Sequence, residues 1–144
     1  MVARVPDDRF TRLDDGRTLS NEGYASARKL HGPELPPGDD IQLLSPVFAL
    51  YQWAYKEVPE GGDNYELMMP LTGKNPHRIV FFPPGHESFD SEGNLLDRWG
   101  TPYFFHKMSD QVLDIVSAGP DRRMGTADDL GLGLTEAYDT ASTE

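Results

Sequence analysis

Apolar positions recur along this chain with two different periods. Between residues 41 and 62, Leu44, Val47, Phe48, Tyr51 and Tyr55 fall three and four residues apart, which lines them along one face of a helix. Ser45 followed by Pro46 suits the start of that helix, because proline has no N–H to lose at the first helical position and its fixed φ favours entry. Val58-Pro59 and Gly61-Gly62 then end it. Asp63 with Glu66 three residues on has the spacing of a capping box and opens a short second helix, NYELMM, stopped by Pro70 and Gly73. From there the period changes. HRIVFFPPG alternates Ile79 and Phe81 with Val80 and Phe82, a strand apolar on both faces and terminated by Pro83-Pro84-Gly85.

SFDSEGNLLDRWG predicts a hairpin turning at residues 91 to 94, with Gly93 or Asn94 supplying a positive φ, and a second turn at Trp99-Gly100. PYFFHKM and VLDIVSA are the two clearest strands, joined by Ser109-Asp110-Gln111. In the second of them Leu113 and Ile115 point inward and Asp114 to solvent. The periodicity stops at Gly119, so AGPDRRMGTADDLGLG is expected to be loop. Residues 1 to 38 have few apolar positions and no sustained period, and they read as an extended arm with a candidate short helix between residues 17 and 30 capped at Ser20 or Asn21.

These elements give an α+β domain: an aromatic-faced helix packed on a small antiparallel β-sheet of three to five strands, with an acidic loop near the C-terminus. The organisation expected is an extended N-terminal arm over residues 1–40, the α+β domain over 41–131 and a flexible tail over 132–144. A length of 144 residues fits one domain. A hydrophobic fraction of 38% and 14 glycines with 12 prolines restrict the regular structure to a small core.

A formal charge of −11 sets the summed field against phosphate backbones and anionic membranes, so nucleic acid is not an expected partner, whereas divalent cations are. The absence of cysteine excludes disulfides, thiolate metal sites and a cysteine nucleophile. No apolar run approaches the roughly 20 residues that span a bilayer. His31, His77, His86 and His106 are scattered outside any zinc spacing, no serine stands in a GxSxG setting, and Gly73-Lys74 belongs to no phosphate loop. Lys74, His77 and Arg78 read as a solvated loop, and the chain is not expected to be an enzyme.

The acidic loop offers Asp121, Asp128 and Asp129, among glycines that permit a tight path. Calcium takes six to eight hard oxygens, and carboxylates plus carbonyls of one loop can supply them; the spacing is not that of an EF-hand. Aspartates also cap turns in any loop, and the spacing alone leaves both readings open.

Asp97-Arg98-Trp99-Gly100-Thr101-Pro102-Tyr103, the strand hairpin after it, then Ser117-Ala118-Gly119-Pro120-Asp121 and Gly125-Thr126-Ala127-Asp128-Asp129-Leu130, resemble the C-terminal half of the major pseudopilin of type II secretion. Leu71-Thr72-Gly73-Lys74-Asn75-Pro76 is similar to the segment that precedes the sheet in some members. The resemblance spans residues 41 to 130. It implies that the D-x-WG-x-PY segment leads into the sheet and that the loop after the last strand binds calcium, with Asp121 and Asp128 as side-chain ligands, Asp129 competing for the second role, and carbonyls between residues 123 and 126.

It further implies a structural head domain of a periplasmic or cell-surface fibre, with other pseudopilin or secretion-system subunits as partners. Family members begin with a leader and a long apolar helix, and residues 1 to 40 resemble neither. Membrane contact is therefore expected only through a helix absent from this chain: either that helix lies outside the given residues, or the chain is a soluble relative that kept the head and lost assembly, which the charged arm somewhat favours. The alternative on the same fold is a soluble periplasmic or extracellular binding module presenting Tyr51, Trp53 or Tyr55 to a partner.

Overall fold

A computed structural model describes residues 9–134. The chain begins with a short hairpin, β1 (Phe10–Arg12) and β2 (Thr18–Ser20), paired antiparallel. It continues through helix α1 (Asn21–Ala27), a 3-10 segment (Pro37–Leu43), and helices α2 (Leu44–Tyr55) and α3 (Asn64–Leu71). Strand β3 (Ile79–Val80) returns to pair parallel with β2, and a second sheet is built from β4 (Phe104–Ser109), β5 (Val112–Ser117) and β6 (Leu130–Leu134), all antiparallel in that order.

Helix α2 is the element on which both halves rest. Leu44, Val47, Phe48 and Tyr51 are buried as their spacing predicts. Phe48 meets Phe105 of β4 with ring centroids 5.6 Å apart, while Tyr51 meets Phe81, just beyond β3, edge-on at 5.5 Å. Each buried side chain of this size contributes roughly 1.5 to 3 kcal/mol through removal from water. The helix begins one residue before Ser45, running on from the 3-10 segment, so Pro46 lies inside the first turn, where the N–H it lacks has no intrahelical acceptor. It ends at Lys56, whose φ of 68° breaks the helical path before the Pro and Gly signals are reached.

Helix α3 has the predicted capping box, with Glu66 Oε1 accepting the Asp63 N–H at 3.1 Å. Asn64 at its first position donates to the carbonyls of Leu95 and Tyr103 and accepts the Leu95 N–H at 2.7 Å, which ties the helix to the chain entering β4. Phe81 and Phe82 are buried on both sides, as the apolar run predicts, but only Ile79 and Val80 are strand. The N–H groups of both phenylalanines go instead to the Leu71 carbonyl, at 2.8 and 3.0 Å. The hairpin at residues 89 to 95 closes with Gly93 at φ 90°, and β5 alternates as read, Leu113 and Ile115 fully buried and Asp114 partly exposed.

Two expectations are corrected. Residues 9–40 are not an extended arm: β1 and β2 belong to a sheet, and Ala27 and Leu30 lie in the core. Gly23 of α1 lets that helix approach so closely that a Cβ there would lie 2.9 Å from the Phe81 carbonyl oxygen. The start of the expected tail, residues 132 to 134, is the second half of β6. The remaining parts of the arm and tail, residues 1–8 and 135–144, lie outside the described residues. Among the described residues no helix is long and apolar enough to cross a membrane.

Candidate functional site

The acidic loop joins β5 to β6, and its two ends meet. Gly119 has φ 77°, and a Cβ on it would lie 2.2 Å from the Asp128 carbonyl oxygen. Only glycine accommodates both that backbone conformation and that crossing. Between the crossing points the loop is folded on its own carboxylates. Asp121 accepts the Arg123 N–H at 2.9 Å on one oxygen and the Thr126 hydroxyl at 2.7 Å on the other. Asp129 accepts the Gly125 N–H at 2.7 Å and the Thr126 N–H at 3.4 Å. Asp121 and Asp129 thus converge on Thr126, and among the described residues nothing donates to the Asp128 carboxylate. The Thr126 hydroxyl and the Arg123 N–H hold the Asp121 carboxyl below its ordinary range.

The loop is fastened to the domain through Asp97. This carboxylate is 1% exposed and sits in the turn that leads to β4. Its Oδ1 accepts the N–H groups of Trp99 (3.0 Å) and Thr101 (2.9 Å), and its Oδ2 accepts the Ser117 hydroxyl at 2.8 Å. Ser117 Oγ in turn accepts the Gly119 N–H at 3.2 Å. The chain passes from the D-x-WG-x-PY turn through one buried carboxylate and one hydroxyl to the first residue of the loop crossing. The next residue, Arg98, reaches the other way and forms a two-pronged ion pair with Asp40 on the 3-10 segment.

The loop offers the donor chemistry a hard cation takes, but among the described residues Asp121, Asp128 and Asp129 are not gathered as a trio with oxygens within 4.8 Å of one another. The donors of the loop are all hard oxygens, the loop carries three carboxylates of which Asp121 and Asp128 are exposed and Asp129 partly so, and the Gly119 crossing returns the Asp128 backbone to its start. Asp121 and Asp129 already accept loop donors, but each carboxylate keeps further lone pairs.

Among the described residues a different trio brings its oxygens within 4.8 Å of one another: Glu57, Glu60 and Asp110. These residues come from the segment that follows α2 and from the β4–β5 turn, which are joined by the Val58 N–H on the Asp110 carbonyl at 2.8 Å. Lys107 Nζ lies 3.2 Å from Glu60 and 3.6 Å from Asp110, so an ammonium already serves as their cation. Nothing in the spacing of these residues announces the grouping, because it depends on how α2 seats against the sheet.

The histidines serve separate local contacts: His31 on the Leu96 carbonyl, His86 on Ser88 and the Arg28 carbonyl, His77 stacked on Tyr55, and His106 on the exposed face of β4. Arg78 is not wholly solvated, since its Nη2 donates to the Asp15 carbonyl at 2.9 Å. Of the aromatic residues considered for partner binding, Tyr51 is buried and Tyr55 donates to Asn75 Oδ1 at 2.6 Å. Trp53 is the exposed one, at 46%, with the Arg9 guanidinium 4.9 Å from its ring.

No protein-family model matches the chain, and no curated protein matches it. A solved structure, the major pseudopilin from the type 2 secretion system of enterohaemorrhagic Escherichia coli, is similar over 74% of this chain and 85% of its own, with 24% identity and a TM-score of 0.36. A superposition that loose transfers no residue roles.

Proposed function

We propose that this chain is the head domain of a pseudopilin-like subunit of a type II secretion or pilus-like fibre, with calcium holding its C-terminal loop. Asp121 and Asp128 are the side-chain ligands, with Asp129 competing for the second position. The role is structural, its place periplasmic or at the cell surface, and its partners are other pseudopilin or secretion-system subunits. The supporting observation is the bond between Asp97 and Ser117. The two motifs that carry the resemblance stand 20 residues apart in sequence and are joined in the fold by this buried contact. A D-x-WG-x-PY turn and an S-x-G-x-D loop that met by accident of composition would have no reason to share a fully buried carboxylate.

Calcium, when bound, supplies positive charge that links the carboxylates across the loop. The chain's own residues do the rest. Gly119 lets the loop ends cross, Thr126 holds Asp121 and Asp129 toward each other, and Asp97 fixes where the loop leaves β5. A loop set in this way presents a fixed surface to a neighbouring subunit, at less cost in ordering on association than a mobile one.

Fractionation of the cells that make the protein tests the assignment. The chain should appear with fibres in the material sheared from the cell surface or in the cross-linked products of a secretion complex. Recovery of all of it as an unassociated soluble protein, under conditions where the fibre is present, would overturn the fibre assignment.

A further inference from the structure

We infer that Ser117 and Asp97 are positioning residues for cation binding by the loop, although neither belongs to the set of loop carboxylates. The inference rests on the calcium reading of the loop and adds to it which residues outside the loop set its affinity. Asp97 is anchored by three donors: two N–H groups fix one oxygen within its own turn, and the Ser117 hydroxyl is held on the other. With its proton directed to Asp97, the Ser117 oxygen has its lone pairs free, and it accepts the Gly119 N–H at 3.2 Å. Both Ser117 and Asp97 are 1% exposed, so solvent does not compete for these bonds.

Gly119 is also the residue on which the Asp128 carbonyl rests. A shift of the Gly119 amide therefore moves the crossing point, and with it the separation of Asp121 from Asp128. The relay runs from a carboxylate through a hydroxyl to an amide and then to the carbonyl of a proposed ligand residue. Partners of this kind, which orient ligands without touching the ion, typically change metal affinity by about 10- to 100-fold when removed.

The test is calcium binding by isothermal titration to the full chain, for the wild type and for Ser117→Ala, Ser117→Thr, Asp121→Asn and Leu67→Ala. Ser117→Ala should weaken binding about tenfold. Ser117→Thr, which keeps the hydroxyl, should restore most of the affinity. Leu67→Ala, a core change in α3 away from the loop, should lower the melting temperature and leave calcium affinity within about twofold, which separates positioning from general loss of stability. Amide exchange of Gly119 should quicken in Ser117→Ala and stay slow in Ser117→Thr. If Asp121→Asn loses binding while Ser117→Ala binds like the wild type, the positioning role is overturned and the calcium reading stands. A wild-type chain that takes up no calcium overturns both.

Discussion

Arg98 grips Asp40 with both prongs of its guanidinium, Nε to Oδ2 at 2.8 Å and Nη2 to Oδ1 at 2.6 Å, across 58 residues of sequence. Asp40 is 1% exposed and also accepts the His31 N–H, so the 3-10 segment entering α2, the turn after α1 and the D-x-WG-x-PY turn meet at one carboxylate. Arg98 follows Asp97 directly. The same turn therefore fastens the first half of the domain through one residue and the acidic loop through the other.

Removing the guanidinium leaves a buried carboxylate without its charge partner. Arg98→Ala should lower stability by about 3 kcal/mol in urea unfolding. Arg98→Lys should recover only part of it, because an ammonium cannot reproduce the paired geometry. Full recovery by lysine would show that charge alone matters at this site.

Gly119→Ala confronts both a positive φ and the Asp128 carbonyl. Melting experiments should show a loss of about 2 kcal/mol or more, and calcium affinity should fall with it. Gly125, also at positive φ but with open space around its Cα, provides the comparison. Gly125→Ala should cost less, about 1 kcal/mol. Equal costs at the two sites would contradict the crossing.

Two tyrosines predict alkaline sensitivity. Burial pushes the Tyr103 phenol well above its ordinary value, with Asp40 and Asp97 adding to the effect. Burial, with smaller contributions from Tyr55, Glu57 and Glu60, raises Tyr51 to about 12. The folded state thus favours the neutral phenol more than the unfolded chain does. The associated stability is complete below pH about 10, where unfolded tyrosine begins to ionise, and is lost as pH rises from there through the folded values. Tyrosinate absorbance and circular dichroism should change together above pH about 10, and Tyr103→Phe should shift that transition upward. Ionisation of all six tyrosines near pH 10 with an intact fold would refute it.

The helix cap offers a local check. Asp63→Ala should cost about 1 kcal/mol through loss of the α3 capping box, read as a drop of a few degrees in melting temperature.

What was legible in the sequence followed from local pattern. Helix α2 could be read because five apolar residues mark one face, and β4 and β5 because their alternation and the turn between them are contained in 14 residues. The strands that were missed depend on distant partners. β1 and β2 have three residues each and become a sheet through each other and β3, some 60 residues away. In β6, Leu130, Leu132 and Leu134 alternate with glycines, which disfavour strands and suggested a loop. Gly133 faces Asp114, whose Oδ1 would lie 3.4 Å from any Cβ there, so small size at that position has a packing reason. At the candidate site the three aspartates were readable as one loop. Asp97 was visible as part of a motif, but its link to Ser117 requires the β-hairpin to bring them together. The pairing of Asp40 with Arg98 and the trio around Lys107 left no local trace.

Thermal unfolding with and without calcium decides whether the ion is part of this fold. Calcium at about 100 times its dissociation constant should stabilise the chain by about 2.7 kcal/mol relative to chelator, raising the melting temperature by several degrees, and Asp121→Asn with Asp128→Asn should abolish the difference. An identical melting temperature in calcium and in chelator would mean that calcium is no part of this fold, leaving Asp121, Asp128 and Asp129 as residues that only cap their own turns.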